Sequence, residues 1–178
     1  MQYAIEMYFD KDSENKIIDL IQKVADAGIS KKILEWKTRP HVTLACFNDV
    51  DEERCRLLLD RFVQSHKKMT VHLDSVGMFN DTKTIFASPT MSREMYDLQA
   101  DLHEMMKEFD TKGWGWYRPD GWVPHCTLAL TRDDEDIAFY EASNLILYEF
   151  HKISGTYFSV GLTKITFPVE EIYTVELG

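Results

Sequence analysis

Residues 2–9 (QYAIEMYF) alternate along the chain and are rich in aromatic and branched side chains, which predicts a strand. Ile17, Ile18, Leu20, Ile21 and Val24 recur at helical spacing, behind a cap expected at Asp12 or Ser13 and ahead of Gly28. A loop then leads to a strand over 41–47. Leu57, Leu58, Phe62 and Val63 mark a helix that begins near Asp51. Residues 69–79 read as a strand, Asn80-Asp81 as a turn and 84–88 as the next strand. The order then restarts. A helix is expected over 91–109, an aromatic and glycine-rich loop over 110–123 and a strand over 125–131. A helix follows over about 134–149, and strands over 153–167 and 170–177 close the chain. Each half therefore reads strand, helix, strand, helix, strand, mostly antiparallel. No linker rich in Pro, Gly or Ser divides the halves, so they are expected to share an interface.

The restart is written in the residues themselves. Pro40-His41-Val42-Thr43-Leu44-Ala45 recurs as Pro124-His125-Cys126-Thr127-Leu128-Ala129, an offset of 125 − 41 = 84. Ser75-Val76-Gly77 recurs as Ser159-Val160-Gly161, and 159 − 75 is again 84. Acidic clusters follow each copy, Asp49 and Asp51 beside Asp133 and Glu135. At ordinary residue frequencies one Pro-His-x-Thr-Leu is expected about once per 10⁵ positions, so chance does not account for two. Two copies are too few for a solenoid. The pattern predicts an α+β fold: a duplicated, pseudo-twofold, two-lobed molecule with mostly antiparallel sheets around a central cleft and helices outside. It is read as a single domain over 1–178, with lobes of about 1–83 and 84–178 and strand exchange between them left open.

Composition narrows the chemistry. Lys and Arg number 20 against 30 Asp and Glu, a net charge of −10. That excess counts against a protein tracking a long nucleic-acid duplex, yet permits a small anion in a locally positive cleft. A chain of this length buries roughly 70% of its unfolded surface, so its core needs no staples. Cys46, Cys55 and Cys126 are an odd number without paired spacing and do not form a disulfide framework. The start of the chain lacks the basic and apolar stretches of a signal peptide, and no apolar run approaches 18 residues. A cytoplasmic monomer with no membrane contact is the expectation.

Alternate residues of a strand share a face, so His41 and Thr43 project together while Val42 and Leu44 enter the core. His125 and Thr127 do the same, with Cys126 and Leu128 on the apolar side. A pseudo-twofold axis would bring the two polar pairs together across a groove. Hydrolysis of a phosphodiester needs a base for the attacking oxygen and an acid for the leaving oxygen. Histidine, with an ordinary pKa near 6.5, can serve as either. The threonine hydroxyls would donate to the non-bridging oxygens where negative charge gathers, with no metal or cofactor required. A zinc site from His41, His125 and the cysteines fails on spacing, since Cys46 lies five residues past His41 and Cys126 faces away from His125.

Two His-x-Thr motifs, one per half of a chain this size, resemble the 2H phosphoesterase superfamily, which includes the 2′-5′ RNA ligase family and cyclic nucleotide phosphodiesterases. The resemblance implies that His41 and His125 are the acid–base pair and that Thr43 and Thr127 bind phosphate. It implies two α+β lobes around a cleft floored by the His strands. The implied substrates are 2′,3′-cyclic phosphates of nucleotides or RNA ends, ADP-ribose cyclic phosphate, or 2′-5′ linkages, among which the motifs do not choose. A 2′-5′ RNA ligase and a catalytically silent nucleotide-binding protein are the alternatives. The loop Gly113-Trp114-Gly115-Trp116-Tyr117-Arg118-Pro119-Asp120-Gly121-Trp122 runs into the second His strand. Its rings, Tyr117 first and Trp116 with it, can stack on a base, and Arg118 or Arg39 can neutralise a phosphate. Trp114 and Trp122 packing the loop onto the lobe is an equal alternative. His66, His72, His103 and His151 are read as surface or structural, and Phe79 as core, with a place at the cleft as its alternative.

Overall fold

Strand β1 (Tyr3–Phe9) is buried along its whole length because it runs between β2 (His41–Phe47) and β6 (Ile153–Lys164), antiparallel to both. The computed structural model describes residues 1–132 and 136–178; Asp133 and Glu135 of the second acidic cluster lie outside the described residues. Helix α1 (Lys11–Asp26) is capped by Asp10, whose carboxylate accepts from Ser13 N at 3.1 Å. The cap thus falls two residues before the expected Asp12, and Ser13 instead donates its hydroxyl to the same Asp10 side chain at 3.0 Å. Ile17, Leu20, Ile21 and Val24 form the buried stripe, and Gly28, at φ +74°, ends the helix with its N–H on Ala25 O.

A single turn, α2 (Lys32–Glu35), occupies part of the expected loop; four residues carry no readable periodicity. Helix α3 (Glu52–Ser65) starts where expected, Asp51 accepting from Arg54 N at 2.9 Å. Strands β3 (Met69–Phe79) and β4 (Thr84–Pro89) form a hairpin, and α4 (Arg93–Met105) is capped by Ser92. Beyond α4 the chain makes three short 3₁₀ turns before β5 (Cys126–Leu130), then α5 (Asp136–Glu149), β6 and β7 (Glu170–Glu176). The expected helix to 109 therefore stops short, giving way to the first 3₁₀ turn at Lys107–Lys112.

The described strands form one antiparallel sheet in the order β2-β1-β6-β3-β4-β5, with β7 on β6. That order reads the same from either end when β2 exchanges with β5, β1 with β4 and β6 with β3. The pairing of β3 with β6 locates the axis: Val71 faces Gly155, and 155 − 71 is the repeat offset of 84. A cut at 83/84 falls in the hairpin joining the paired strands β3 and β4, so each lobe draws strands from both halves of the chain. Helix α1 packs on α5 and α3 on α4, the same pairing seen from the two sides of the axis. No helix among the described residues is long and apolar enough to cross a membrane.

Candidate active site

The two ends of the strand order, β2 and β5, approach one another as the sheet curls. Trp122 ties the junction by donating its indole N–H to Thr43 O at 2.9 Å. A cleft of about 260 Å³ opens there, and His41, Thr43, His125 and Thr127 all line it. Val42, Leu44, Cys126 and Leu128, the intervening residues, are all completely buried. The alternation expected from the sequence is the alternation found.

The histidines are held alike. His41 Nδ1 meets Arg39 O at 2.7 Å, and His125 Nδ1 meets Val123 O at 2.7 Å, in each case the carbonyl two residues back. A carbonyl can only accept, so Nδ1 carries the hydrogen in both rings and Nε2 is the nitrogen free of the backbone.

Their neighbours differ. In the first lobe Glu6 stands opposite Thr43, beside a bulge between Ile5 and Glu6; in the second, Phe86 stands opposite Thr127, beside a bulge between Ile85 and Phe86. Gly161 faces Glu6 and Gly77 faces Phe86 on the other side. The two positions are equivalent, but one holds a carboxylate and the other a phenyl ring. Glu6 is 6% exposed, its Oε1 lies 3.4 Å from His41 Nε2, and its Oε2 accepts from the Tyr8 hydroxyl at 2.9 Å. His125 instead lies against Phe79 and Phe86, with ring centroids at 4.9 and 5.2 Å. Burial, with the neighbouring His41 adding to it, holds the His125 pKa below the ordinary histidine value against the opposing pull of the Val123 carbonyl. Phe79 is thus a wall of the second histidine as well as a packing residue. Neither Glu6 nor Phe86 was found from the sequence; the available signal was a lone carboxylate inside an otherwise apolar strand.

Of the loop residues, Tyr117 and Trp114 line the cleft. The Tyr117 phenol lies against the Thr43 hydroxyl, and burial raises its pKa. Buried Gln99 anchors this stretch by donating to Tyr117 O at 2.6 Å and Leu44 O at 3.1 Å. Trp114 donates to Asn48 at 2.9 Å and Trp122 is buried, so both also pack the loop onto the lobe. Trp116 and Arg118 do not line the cleft. Trp116 is 83% exposed, and the Arg118 guanidinium donates to Asp110 O at 3.1 Å. In a 3₁₀ turn successive side chains point about 120° apart, so Tyr117 faces inward only by turning its neighbours away. Arg39 does line the cleft, but its guanidinium is held by Glu14 at 2.9 and 3.0 Å and lies over the Tyr8 ring. Trp36 and Phe167, ring centroids 4.4 Å apart, form a further aromatic edge of the cleft.

The remaining histidines act locally. His66 stacks on Phe62, His72 meets Ser154 and His103 meets Leu44 O. Asp49 pairs with Lys112 at 2.7 Å, and Asp51 caps a helix. No group of three His, Cys, Asp or Glu among the described residues could hold a metal ion.

Solved structures share this architecture. Apo LigT of E. coli superposes with a TM-score of 0.64 at 15% identity, covering 99% of this chain and 96% of that one. TT0787 of Thermus thermophilus gives 0.63 at 15% identity over 99% and 98%. E. coli LigT complexed with 3′-AMP gives 0.59 at 14% identity over 99% and 97%. No curated protein sequence matches the chain. The family model of the 2′-5′ RNA ligase superfamily matches residues 12–177, a span that takes in both His-x-Thr strands. The chain belongs to the 2′-5′ RNA ligase superfamily, within the 2H phosphoesterases that its repeated motif resembles.

Proposed function

We propose that the protein is a phosphoesterase that opens a 2′,3′-cyclic phosphate, or a related small cyclic phosphodiester, on a nucleotide or RNA end. One imidazole takes a proton from water as the water oxygen bonds to phosphorus. The ribose oxygen that leaves takes its proton from the other ring, giving a phosphomonoester beside a free hydroxyl. Thr43 and Thr127 donate to the non-bridging oxygens. The observation that carries this reading is that two imidazoles from sequence-distant strands line one cleft, each with Nδ1 bound to backbone and Nε2 free of it. Trp36, Phe167, Trp114 and Tyr117 offer ring faces to a base at the rim. A cleft of about 260 Å³ in a chain of net charge −10 suits a mononucleotide-sized group better than extended RNA. The binding of 3′-AMP by a protein of similar fold, E. coli LigT, fits that size.

The test is a hydrolysis screen followed by ³¹P NMR over nucleoside 2′,3′-cyclic phosphates, ADP-ribose cyclic phosphate and short oligoribonucleotides with cyclic ends. A phosphomonoester should appear, and His41→Ala or His125→Ala should slow its formation at least about 100-fold. Tight nucleotide binding without turnover would overturn hydrolysis in favour of a binding protein. Joining of two RNA ends, with no hydrolysis, would overturn it in favour of ligation.

A further inference from the structure

We infer that the uncovered edge of β3 at Ser75–Phe79, with the flank of α5 beside it, is the contact surface of a twofold dimer with a second copy of this chain. The internal repeat exposes this surface, because the other half of the molecule shows the same place filled. Strand β6 pairs with β1 on one side and, on the other, with β3 at Ile153–Tyr157 and with β7 at Ser159–Lys164. Strand β3 pairs with β4 on one side and with β6 at Met69–Leu73 on the other. Among the described residues no strand continues that second side along Ser75–Phe79, the repeat of Ser159–Thr163. Val160 and Leu162 are completely buried, whereas Val76 is half-buried and Met78 is 43% exposed. The helices repeat the contrast, since α3 and α5 begin at residues 52 and 136, again 84 apart. On α3, β7 supplies Tyr173, whose hydroxyl donates to Asp60 and whose ring lies under the Arg56 guanidinium; Val63 is buried. Their equivalents on α5 are Asn144, Tyr140 and Leu147, all exposed. Ser143 donates to the Met78 sulfur at 3.4 Å, which places the Leu147 and Tyr140 flank of α5 next to the open edge.

The chemistry of the surface selects a second copy as the occupant. Ser75-Val76-Gly77-Met78-Phe79 carries no charge and no proline, the devices that keep free strand edges from pairing, whereas β7 carries Glu170, Glu171 and Glu176. The acidic groups bordering the surface are already paired, Asp74 with Lys152 at 2.7 Å and Asp136 with Lys83 at 3.5 Å. Two chains of net charge −10 can therefore approach here without facing bare carboxylates. A foreign strand alone would cover only what β7 covers. Glu53, the α3 equivalent of Ile137, stays exposed despite β7, so a single strand would leave Ile137 in water. A second copy brings its own α5 with the strand. Antiparallel pairing centred on Gly77 is self-complementary about a twofold axis and sets Val76 of each copy opposite Met78 of the other. Met78, Ile137, Tyr140 and Leu147 are 43, 55, 60 and 57% exposed. With the strand edge they offer roughly 600 Å² per copy, or about 1,200 Å² for the pair, which reaches the size of a stable specific interface.

Sedimentation velocity and amide hydrogen exchange on the full chain, from about 1 to about 500 µM, test this. The wild type should pass from one to two copies across that range, and amides of Ser75–Phe79 should exchange more slowly as it does. Leu147→Glu and Met78→Glu each set like charges near the twofold axis and should weaken the dimer at least about tenfold. Leu57→Glu, a change of an exposed leucine on α3, should leave the dimer as it is. Thermal unfolding at the lowest concentration checks that each variant folds. A wild type still monomeric at about 500 µM would overturn the proposal. So would a dimer that survives both charge changes, or one whose Ser75–Phe79 amides exchange at the monomer's rate, since either places the contact elsewhere. A monomer whose Ser75–Phe79 amides slow only on adding a synthetic peptide of the β7 sequence, Glu170–Leu177, would overturn the second copy in favour of a foreign strand. Should the variants fail to fold, the wild-type mass and exchange series decides by itself.

Discussion

Gly77→Ala is predicted to disturb the second histidine through a single added carbon. A Cβ at Gly77 would lie 2.4 Å from both Cε2 and Cζ of Phe86. Carbon atoms pack best at about 3.5–4.0 Å, so the ring must withdraw by roughly 1 Å or more. It has little room, since Phe86 is 5% exposed and lies between Phe79 at 4.4 Å and His125 at 5.2 Å. Overpacking of this kind costs about 1–3 kcal/mol, which for a chain of this size lowers Tm by about 2–12 °C. Thermal unfolding of Gly77→Ala, Phe86→Leu and the double variant measures it. The smaller side chain should relieve the clash, so the double variant should cost at least about 1 kcal/mol less than the sum of the single changes. Strictly additive losses would refute the contact between the Gly77 site and the Phe86 ring.

Other perturbations report on separate parts of the account. Gln99→Leu removes the bonds to Leu44 O and Tyr117 O; it should cost about 1–3 kcal/mol in denaturant unfolding and raise KM as the loop loosens. An unchanged KM would detach Tyr117 from substrate binding. Because burial lowers the His125 pKa, the unfolded chain binds a proton there at a higher pH than the folded chain does. Stability should therefore rise with pH from the lowered folded value up to the ordinary 6.5, and His125→Gln should remove that part of the slope. Asp51→Ala should destabilise α3 by about 1 kcal/mol through loss of the cap, with activity retained.

Local pattern carried much of this fold into view. β2 and β3 begin and end where alternation and turn residues put them, because each is bounded by residues that leave the strand: Pro40 before His41 and Asn80-Asp81 after Phe79. The four motif residues were legible because they are repeated, and repetition survives without knowing which strands pair. What lay beyond reach was non-local. β6 was expected to run to 167 but stops at Lys164, short of Pro168, which has no N–H for a ladder. That β6 pairs with both β1 and β3, and so carries strands across the lobes, is set by tertiary packing and leaves no mark in a local window. Glu6 and Phe86 were missed for the same reason, since their meaning comes only from the strand beside them. Trp116 and Arg118 resembled site residues by composition, and the 3₁₀ turn that aims Tyr117 inward turns them out.

The central claim is that His41 and His125 work on one phosphorus as a unit. Steady-state hydrolysis of a nucleoside 2′,3′-cyclic phosphate by the wild type, His41→Ala, His125→Ala and the double variant tests it most directly. Each single change should cost at least about 100-fold in kcat/KM, and the double change little more than either, as for groups that share one transition state. Either single variant within tenfold of the wild type would contradict the claim, as would losses that multiply independently.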